Sequence, residues 1–376
     1  MAGRTVWDDT ARAEDLEVLR RGAADALDRT PDVLVVGGGI VGLATAAMCR
    51  RAGLGSVVVV EREQRLASGT SGSAWGGLGP DTHALDPAPF PSLARRSLEL
   101  HRELEAEWDG DLGLEDLDLI ATMSGPEASE LASSMGAGLL GPDDLAALAP
   151  ELADTARAGL RFGSQPRVHP LRLAAAFARR AGTLAAGVEV TGWEVSGGRV
   201  RAVCTSAGDV SPGNVVLASG LAPSWAVGVP QELVKGHLVA TAPAPFRLSA
   251  AFTTGEIGVL QTPDGRIVAG GTLDEGDTED VVRSEVADRI RALLVALLPA
   301  AAPLEITHRW CCFRPATADR LPVIDRAPGT DNAWITCGHY RTGLLNAPAA
   351  GEAIASWIAS GRPPDGVARW AVSRFG

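Results

Sequence analysis

The sequence predicts a mixed α/β fold of two domains, one assembled from separated segments of the chain and the other inserted between them. Three observations predict it. A strand, glycine turn, helix and strand follow one another over 33–61, a buried strand and a helix occur late at 333–359, and short strands with turn residues lie between 235 and 275. The 376 residues, 46% of them hydrophobic, suffice for two cores.

Composition excludes several classes of function. The formal net charge of −12 argues against a nucleic-acid partner, because binding to phosphates needs clustered cations. Residues 1–31 lack the apolar core of a signal peptide, and no apolar stretch is long enough to span a bilayer. The five cysteines include no CxxC pair and no histidine at zinc spacing. We therefore expect a cytoplasmic protein with reduced thiols, no metal site and no membrane partner.

The elements follow from hydrophobic periodicity. Residues 10–28 place apolar side chains at helical spacing, which predicts one amphipathic helix in an N-terminal extension. Apolar runs at 33–36 and 57–60 predict two buried strands joined by an alanine-rich helix that ends near residue 51. Further helices are predicted at 91–108, 171–181, 281–298 and 349–359, a hairpin at 188–203, and strands at 215–218 and 333–336.

Between the first strand and helix, Gly37, Gly39 and Gly42 form the pattern G-x-G-x-x-G. The first glycine permits a tight bend, the second lets the backbone approach a pyrophosphate, and the third lets helix and strand pack closely. The helix start at Ile40 and Val41 offers free N–H groups to phosphates.

Glu61 ends the second strand, 24 positions after Gly37, where a carboxylate accepts from ribose hydroxyls. The unit therefore indicates a dinucleotide and, with an acid at 61, disfavours NADP. It does not separate FAD from NAD.

Two C-terminal stretches distinguish between FAD and NAD. Arg314-Pro-Ala-Thr-Ala-Asp-Arg-Leu-Pro-Val-Ile-Asp325 and Cys337-Gly-His-Tyr-Arg-Thr-Gly-Leu-Leu-Asn-Ala-Pro-Ala-Ala-Gly-Glu352 resemble the D-amino acid oxidase family of flavoproteins. They are most similar to its glycine oxidase and sarcosine oxidase branches, which carry similar "RP-T-D-LP-IG" and "GH-RNGILLAPATG" stretches. Supporting matches extend the resemblance from residue 31 to about residue 360: 37–42, 61–62, 70–77, 215–220 and 234–237.

The resemblance implies a domain organisation. A Rossmann-type FAD-binding domain would be built from residues 31–85, 165–230 and 305–376, and an inserted antiparallel-sheet substrate domain from residues 86–164 and 231–304. Residues 1–30 would remain a helical extension.

The resemblance also implies an activity. The protein would be an FAD-dependent oxidase of a small carboxylate-bearing amine, such as glycine, sarcosine, a D-amino acid or a related biosynthetic amine. Hydride would pass to flavin N5, and molecular oxygen would then reoxidise the flavin, giving H2O2 and an imine. Two alternatives stay open: a dehydrogenase of the same fold that passes electrons to a quinone or carrier, and a non-enzymatic nucleotide-binding module. A homo-oligomer is compatible with the resemblance.

Site residues are carried over by position in these motifs. Arg314 would lie over the flavin and pair with the substrate carboxylate, a bidentate contact that suits a guanidinium. Arg341 takes the position of a flavin-contacting arginine, and the neighbouring Tyr340 is assigned to packing in preference to catalysis. The remaining cofactor-binding candidates are Arg62, Thr70, Ser71, Trp75, Gly76, Gly77, Val190, Ala218, Gly220, Cys312, Gly338, His339, Thr342, Gly343, Leu344 and Leu345. The last three would direct backbone N–H groups at the flavin N1–C2=O edge.

Two singletons bear on the substrate and on oxygen. Tyr340 is the only tyrosine, so the substrate domain lacks the tyrosine hydroxyls that the resemblance would place there. The candidates for a replacing polar contact are Glu256, Gln261, His83, His237 and Trp75. Lys235 is the only lysine. It lies away from the position of the oxygen-activating lysine of sarcosine oxidases, so a solvated or interdomain role is expected.

Cys312 raises the question of how FAD is held. It falls where some sarcosine oxidase relatives attach FAD through a cysteine thioether, for which a thiolate is needed. The Gly338–Arg341 stretch instead resembles the glycine oxidase branch, which holds FAD noncovalently. Noncovalent FAD is therefore expected, with attachment at Cys312 as the alternative.

Overall fold

The computed structural model describes residues 3–20, 27–79, 92–123, 128–154, 156 and 158–376. Within them the α-helices are α1 (Val6–Thr10), α2 (Ala13–Leu19), α3 (Ile40–Arg51), α4 (Thr70–Ser73), α5 (Ser92–Glu107), α6 (Ala128–Met135), α7 (Pro142–Leu148), α8 (Pro170–Ala178), α9 (Ser284–Leu297) and α10 (Gly343–Ser360). The strands are β1 (Val33–Val36), β2 (Val57–Glu61), β3 (Glu115–Met123), β4 (Gly138–Leu140), β5 (Ala158–Arg167), β6 (Thr183–Ala186), β7 (Val190–Ser196), β8 (Arg199–Thr205), β9 (Asn214–Leu217), β10 (Gln231–Thr241), β11 (Ala250–Thr253), β12 (Gly258–Gln261), β13 (Ile267–Gly270), β14 (Ile306–Thr317), β15 (Val323–Arg326) and β16 (Ala333–Cys337).

The smaller of the two main sheets has six strands in the order β15-β16-β9-β1-β2-β6. Its strands run parallel except for the edge strand β15, which is antiparallel to β16. β1 is buried along its whole length and β2 nearly so, because α3, α8 and α10 cover one face of the sheet and the β7–β8 hairpin packs on the other, and this explains their uninterrupted valine and leucine runs. α3 connects β1 to β2, as the glycine-turn pattern predicts.

The larger sheet has eight strands in the order β14-β10-β13-β12-β11-β3-β5-β4. It is antiparallel except for the β3–β11 pair, which is parallel. The mixed α/β fold class is thereby confirmed. The predicted boundaries place β14 in the FAD-binding domain and β10 in the substrate domain. In the structure the two strands pair along the whole length of β10. The boundaries themselves stay predictions.

Two element predictions need correction. Of the helix expected over 10–28, the described residues form only α2 (Ala13–Leu19); the preceding α1 ends at Thr10, because Arg12 takes an extended conformation (φ −66°, ψ 142°) between the two, and residues 27–28 are not helical. Residues 21–26 of that prediction lie outside the described residues. The last helix begins at Gly343, six residues earlier than expected, and contains Pro348.

The main core lies between the six-stranded sheet and the helices α3, α8 and α10. α10 can pack closely against α3 because Gly351 of α10 lacks a side chain: a Cβ there would lie 2.9 Å from the Cα of Thr45 in α3. None of the helices in the described part of the chain combines the length and apolar character needed to cross a membrane.

Candidate active site

A cleft of about 1430 Å³ is lined by residues of the six-stranded and the eight-stranded sheet and of the loops at the carboxyl ends of β1, β2 and β9. Open α/β sheets bind their ligands at that edge. Its volume exceeds the roughly 300–1,000 Å³ of ordinary small-molecule pockets, so it has room for a large cofactor together with a substrate.

The glycine turn forms one wall, in a shape that only glycine permits. Gly37 has a positive φ of 116°, and a Cβ there would lie 2.5 Å from the carbonyl oxygen of Ala218. A Cβ on Gly39 would lie 3.2 Å from the Ser71 hydroxyl oxygen. Gly42 does not line the cleft; a side chain there would overlap the carbonyl of Gly37, so this glycine serves helix–strand packing.

Glu61 is fixed by the turn beside it. Its Oε2 accepts a hydrogen bond from the N–H of Gly38 (2.7 Å), and its Oε1 accepts from the N–H of Glu63 (3.0 Å). Ser71 accepts from the N–H of Ile40 at the start of α3 (3.0 Å). The carboxylate and the helix start thus meet at one end of the cleft, the arrangement that suits a ribose and a pyrophosphate.

Two buried polar atoms in the cleft wall have no partner among the residues that the structure describes. They are Nε1 of Trp75 and Nδ1 of His339. Buried polar atoms are seldom left unpaired, so both favour a ligand with ring nitrogens and carbonyl oxygens. Burial lowers the pKa of His339 to about 4, so the ring is neutral near pH 7, and its Nε2 lies 2.9 Å from the Thr336 hydroxyl. The wall therefore fits a flavin.

Arg314 lies in the cleft on β14, 8% exposed. Its Nη1 donates to the carbonyl oxygen of Thr272 (2.8 Å), while Nη2 and Nε hydrogen-bond no group in the described part of the chain. The side chain crosses β10 at Gly236, where a Cβ would lie 2.6 Å from the guanidinium carbon. Burial lowers the pKa of Arg314, yet a guanidinium stays charged in proteins. An anionic group is the natural partner of its free edge.

Asp274, which sequence reasoning missed, lines the cleft near Arg314. Its Oδ2 accepts from Nδ1 of His237 (2.7 Å) and from the Thr272 hydroxyl (2.8 Å). Burial acts to raise the pKa of Asp274, but the hydrogen bonds from His237 and Thr272 outweigh it and hold the pKa below its usual range. Asp274 is therefore an anion in the cleft at neutral pH.

Several candidates for the substrate contact are engaged elsewhere. Nε2 of His237 accepts from the N–H of Arg283 (3.0 Å), so both ring nitrogens have partners. Gln261 accepts from the N–H of Leu248 and donates to two backbone carbonyls, away from the cleft. Glu256 lines the cleft and forms an exposed ion pair with Arg289. His83 lies outside the described residues.

The solvated role considered for Lys235 is wrong. The side chain is fully buried, and its Nζ donates to Asp277 (2.8 Å) and to the carbonyl oxygen of Glu279 (2.7 Å). Asp277 also pairs with Arg283, and these two bonds, chiefly the one from Arg283, hold the pKa of Asp277 well below its usual range. The lysine therefore anchors the loop that carries Thr272 and Asp274.

Tyr340 and Arg341 both line the cleft. Tyr340 has a positive φ of 47°, unusual for a residue with a side chain, and its N–H donates to the carbonyl oxygen of Pro315 (2.8 Å). Its ring lies 5.1 Å from the guanidinium carbon of Arg320, a cation–π contact that agrees with a packing role.

Most of the remaining cofactor candidates line the same cleft: Val41, Arg62, Thr70, Gly76, Gly77, Val190, Ala218, Gly220, Cys312, Gly343 and Leu344. Gly338, Thr342 and Leu345 do not line it. Thr342 is the N-cap residue of α10 and bonds to the carbonyl of His339, so it supports the wall from behind. Burial raises the pKa of the Cys312 thiol, which disfavours the thiolate that covalent attachment requires.

The start of α10 is held by α5, another contact that the sequence did not predict. Pro348 has no N–H, so the carbonyl of Leu344 lacks its helical partner. His101 lies 3.1 Å and 3.2 Å from the carbonyl oxygens of Leu344 and Leu345, and the Ser97 hydroxyl also donates to Leu345. Burial lowers the pKa of His101 to about 4, so this ring is neutral. The first turn of α10 is thereby fixed at the cleft.

Comparisons with known proteins show the family to which the chain belongs. The family model described as FAD dependent oxidoreductase matches residues 32–357. The glycine oxidase of Pseudomonas aeruginosa is 29% identical over 88% of this chain and 95% of that protein. The crystal structure of glycine oxidase from Geobacillus kaustophilus superposes with a TM-score of 0.83 at 24% identity, over 92% of this chain and 99% of that one.

A crystal structure of L-proline dehydrogenase from P. horikoshii also has a TM-score of 0.83, at 22% identity over 93% of this chain and 98% of that one. At such identities the two structures establish the fold alone. The family match, in contrast, extends from β1 into α10 and so includes both sheets and the whole glycine turn. The chain is therefore a member of the FAD dependent oxidoreductase family, as the D-amino acid oxidase-like motifs indicate, and FAD is its cofactor.

Proposed function

We propose that this enzyme oxidises a small amine that carries a carboxylate, with noncovalent FAD and with molecular oxygen as the final electron acceptor. One observation supports the substrate class above all: Arg314, almost fully buried in the cleft, has a free guanidinium edge. A buried charge is costly unless it is paired, so the cleft favours a ligand that brings a negative group to that edge.

The residues divide into a cofactor part and a substrate part. The glycine turn, Glu61 and Ser71 would hold the ribose and pyrophosphate, and the first turn of α10 would approach the ring system. When bound, FAD supplies a hydride acceptor at N5. Arg314 would orient the substrate through its carboxylate, with the guanidinium kept in place by the Thr272 carbonyl. Holding the substrate in one orientation is worth several kcal/mol of barrier in reactions of this kind.

The substrate domain offers no phenol, and Gln261 is occupied, so the amine end of the substrate must meet other groups. Asp274 is ionised and lines the cleft close to Arg314. We assign it the role of facing the amino group, because a carboxylate beside a guanidinium suits a substrate that carries both charges.

Anaerobic reduction of the flavin by an amine panel tests the proposal. We expect glycine, sarcosine, D-alanine or L-proline to bleach the flavin band and benzylamine, which lacks a carboxylate, to fail. Arg314→Ala should lower kcat/KM for the active amine by about 100- to 1,000-fold, because two charge-assisted hydrogen bonds are lost. Arg309→Ala, on the same strand with an exposed side chain, is the matched control. Preferential oxidation of benzylamine would refute the substrate class.

Readmission of air then distinguishes the electron acceptors. An oxidase regains its flavin colour and yields one H2O2 per amine consumed. A flavin that stays bleached in air and recovers only with a quinone or dye would refute oxygen as the acceptor and identify a dehydrogenase.

The cysteines bear on the protein's location and on its mode of FAD attachment. None of the five cysteines forms a disulfide, and Cys49, Cys311, Cys312 and Cys337 are buried, which supports a reducing, cytoplasmic compartment. Acid precipitation should release all the flavin to the supernatant, and flavin retained in the pellet would indicate attachment at Cys312.

A further inference from the structure

The segment 65–77 lines much of the cleft, yet it contains only the four-residue helix α4. Its cleft-lining residues include Arg65, Ala74 and Gly76. A stretch with so little regular structure keeps its shape through contacts with the rest of the protein. The elements that supply those contacts therefore help to stabilise the cofactor site.

Contacts with the middle of the segment come from the glycine turn and from β14, whereas several contacts with its two ends come from the N-terminal extension. Trp7 of α1 is 3% exposed, and its indole N–H donates to the carbonyl oxygen of Ala74 (2.8 Å). A Cβ on Gly76 would lie 3.8 Å from the Trp7 ring. The same ring meets the imidazole of His169 edge-on, with 5.0 Å between ring centroids. Trp7 thus lies directly behind the Ala74–Gly77 end of the segment.

The other end is held from the same side. The Asp8 carboxylate pairs with Arg65 (2.6 Å), and the carbonyl oxygen of Leu19, the last residue of α2, accepts from the N–H of Leu66 (2.9 Å). The two short helices therefore contact the 65–77 segment at both of its ends.

The extension is itself firmly attached. Thr5 caps α1 in a reciprocal capping box with Asp8, and Val6 is fully buried. Asp15 of α2 is fully buried and forms ion pairs with Arg12 (2.7 Å) and with Arg179, which follows α8. A fixed support of this kind can transmit its position to the segment that it contacts.

We propose that residues 5–19 form a clamp that holds the 65–77 segment in the shape that binds FAD, so that FAD affinity depends on residues that lie before the glycine-turn unit. Trp7 and Asp8 are positioning residues in this clamp. Their loss leaves the cleft residues present but less well ordered in the apoprotein. The cofactor must then order them on binding, at a cost in affinity.

The test is the dissociation constant of FAD, measured by fluorescence titration of deflavinated protein. Trp7→Phe keeps the ring and removes the indole N–H, and we expect a rise of about 3- to 10-fold, as for the loss of one buried hydrogen bond. Asp8→Asn removes the charge opposite Arg65 and should act in the same direction. Trp370→Phe is the matched control, since Trp370 is 4% exposed and does not line the cleft.

The melting temperature of each apoprotein distinguishes a clamp from general destabilisation. The clamp requires a larger FAD dissociation constant for Trp7→Phe than for Trp370→Phe when both apoproteins melt within about 2 °C of each other. An unchanged dissociation constant in both Trp7→Phe and Asp8→Asn, or an equal rise in Trp370→Phe, would overturn the proposal.

Discussion

Gly236 determines where the guanidinium of Arg314 can lie, and replacing it with alanine is the sharpest test of the substrate site. In the register of the β10–β14 ladder, Gly236 is paired with Cys312, and the Arg314 side chain crosses the strand over the missing Cβ. The added methyl group in Gly236→Ala would lie 2.6 Å from the guanidinium carbon. Carbon atoms in contact prefer about 3.5–4.0 Å, so the guanidinium must move by roughly 1 Å.

A shift of that size exceeds the range over which a hydrogen bond to a carboxylate stays short and linear. At least one charge-assisted bond to the substrate is then lost, worth about 1.5–3 kcal/mol. This corresponds to about a 10- to 150-fold lower kcat/KM for the carboxylated amine, with most of the loss in KM.

The assay is steady-state peroxide formation with the amine that reduces the wild-type flavin, at matched FAD content. Gly228→Ala is the control, because a Cβ at Gly228 meets nothing within 4 Å and its φ is not positive. Values of kcat/KM within about twofold of wild type for Gly236→Ala would refute the reasoning that Arg314 is held in place by this close approach.

Three further predictions concern stability and the cofactor. His101 and His339 are buried with pKa values of about 4, below the ordinary value of about 6.5, so the unfolded chain binds more protons between those limits. The free energy of unfolding should therefore fall as pH drops from 6.5 to 4, by about 1.4 kcal/mol per pH unit for each histidine, and His101→Gln should flatten the slope in urea titrations. A slope equal to that of the wild type would contradict this. Ser97→Ala removes the hydroxyl that donates to the carbonyl of Leu345 and accepts from the N–H of Ala349, with His101 still in contact with that carbonyl, and urea unfolding should show a loss of about 1–3 kcal/mol that the exposed-site control Ser356→Ala does not. Glu61→Gln should weaken FAD binding about tenfold in fluorescence titration, whereas Glu194→Gln, in the hairpin, should not; equal affinities would remove Glu61 from the ribose site.

The sequence predicted those parts of the molecule whose causes are local. The β1–α3–β2 unit follows from two apolar runs and three glycines within 29 residues, 33–61, and each glycine has a steric reason in the structure. Motif positions also placed Arg314 and Arg341 in the cleft. The glycine-turn unit depends on residues that are neighbours in the chain, so a pattern records it, whereas the two arginines were placed by their positions in motifs that resemble those of a family.

The features that the sequence did not predict arise between distant segments. The role of Gly236 depends on the register of β10 against β14, and the contacts of Asp274 depend on a loop folding back onto His237. Lys235 was expected in contact with solvent because a charged side chain is rarely buried unless a partner neutralises it. Its partner Asp277 is 42 positions away, so the sequence does not show that the two residues pair. The break between α1 and α2 likewise has no glycine or proline to mark it.

The burial of Lys235 has a practical consequence for chemical labelling. As the only lysine, fully buried and held by Asp277 and the carbonyl of Glu279, it leaves the folded chain without an exposed lysine side chain. Reagents that acylate lysine, and enzymes that modify it, can reach this position only when the loop opens. The rate at which an acylating reagent labels Lys235 would therefore report, at a single known residue, the opening of the loop that carries Thr272 and Asp274.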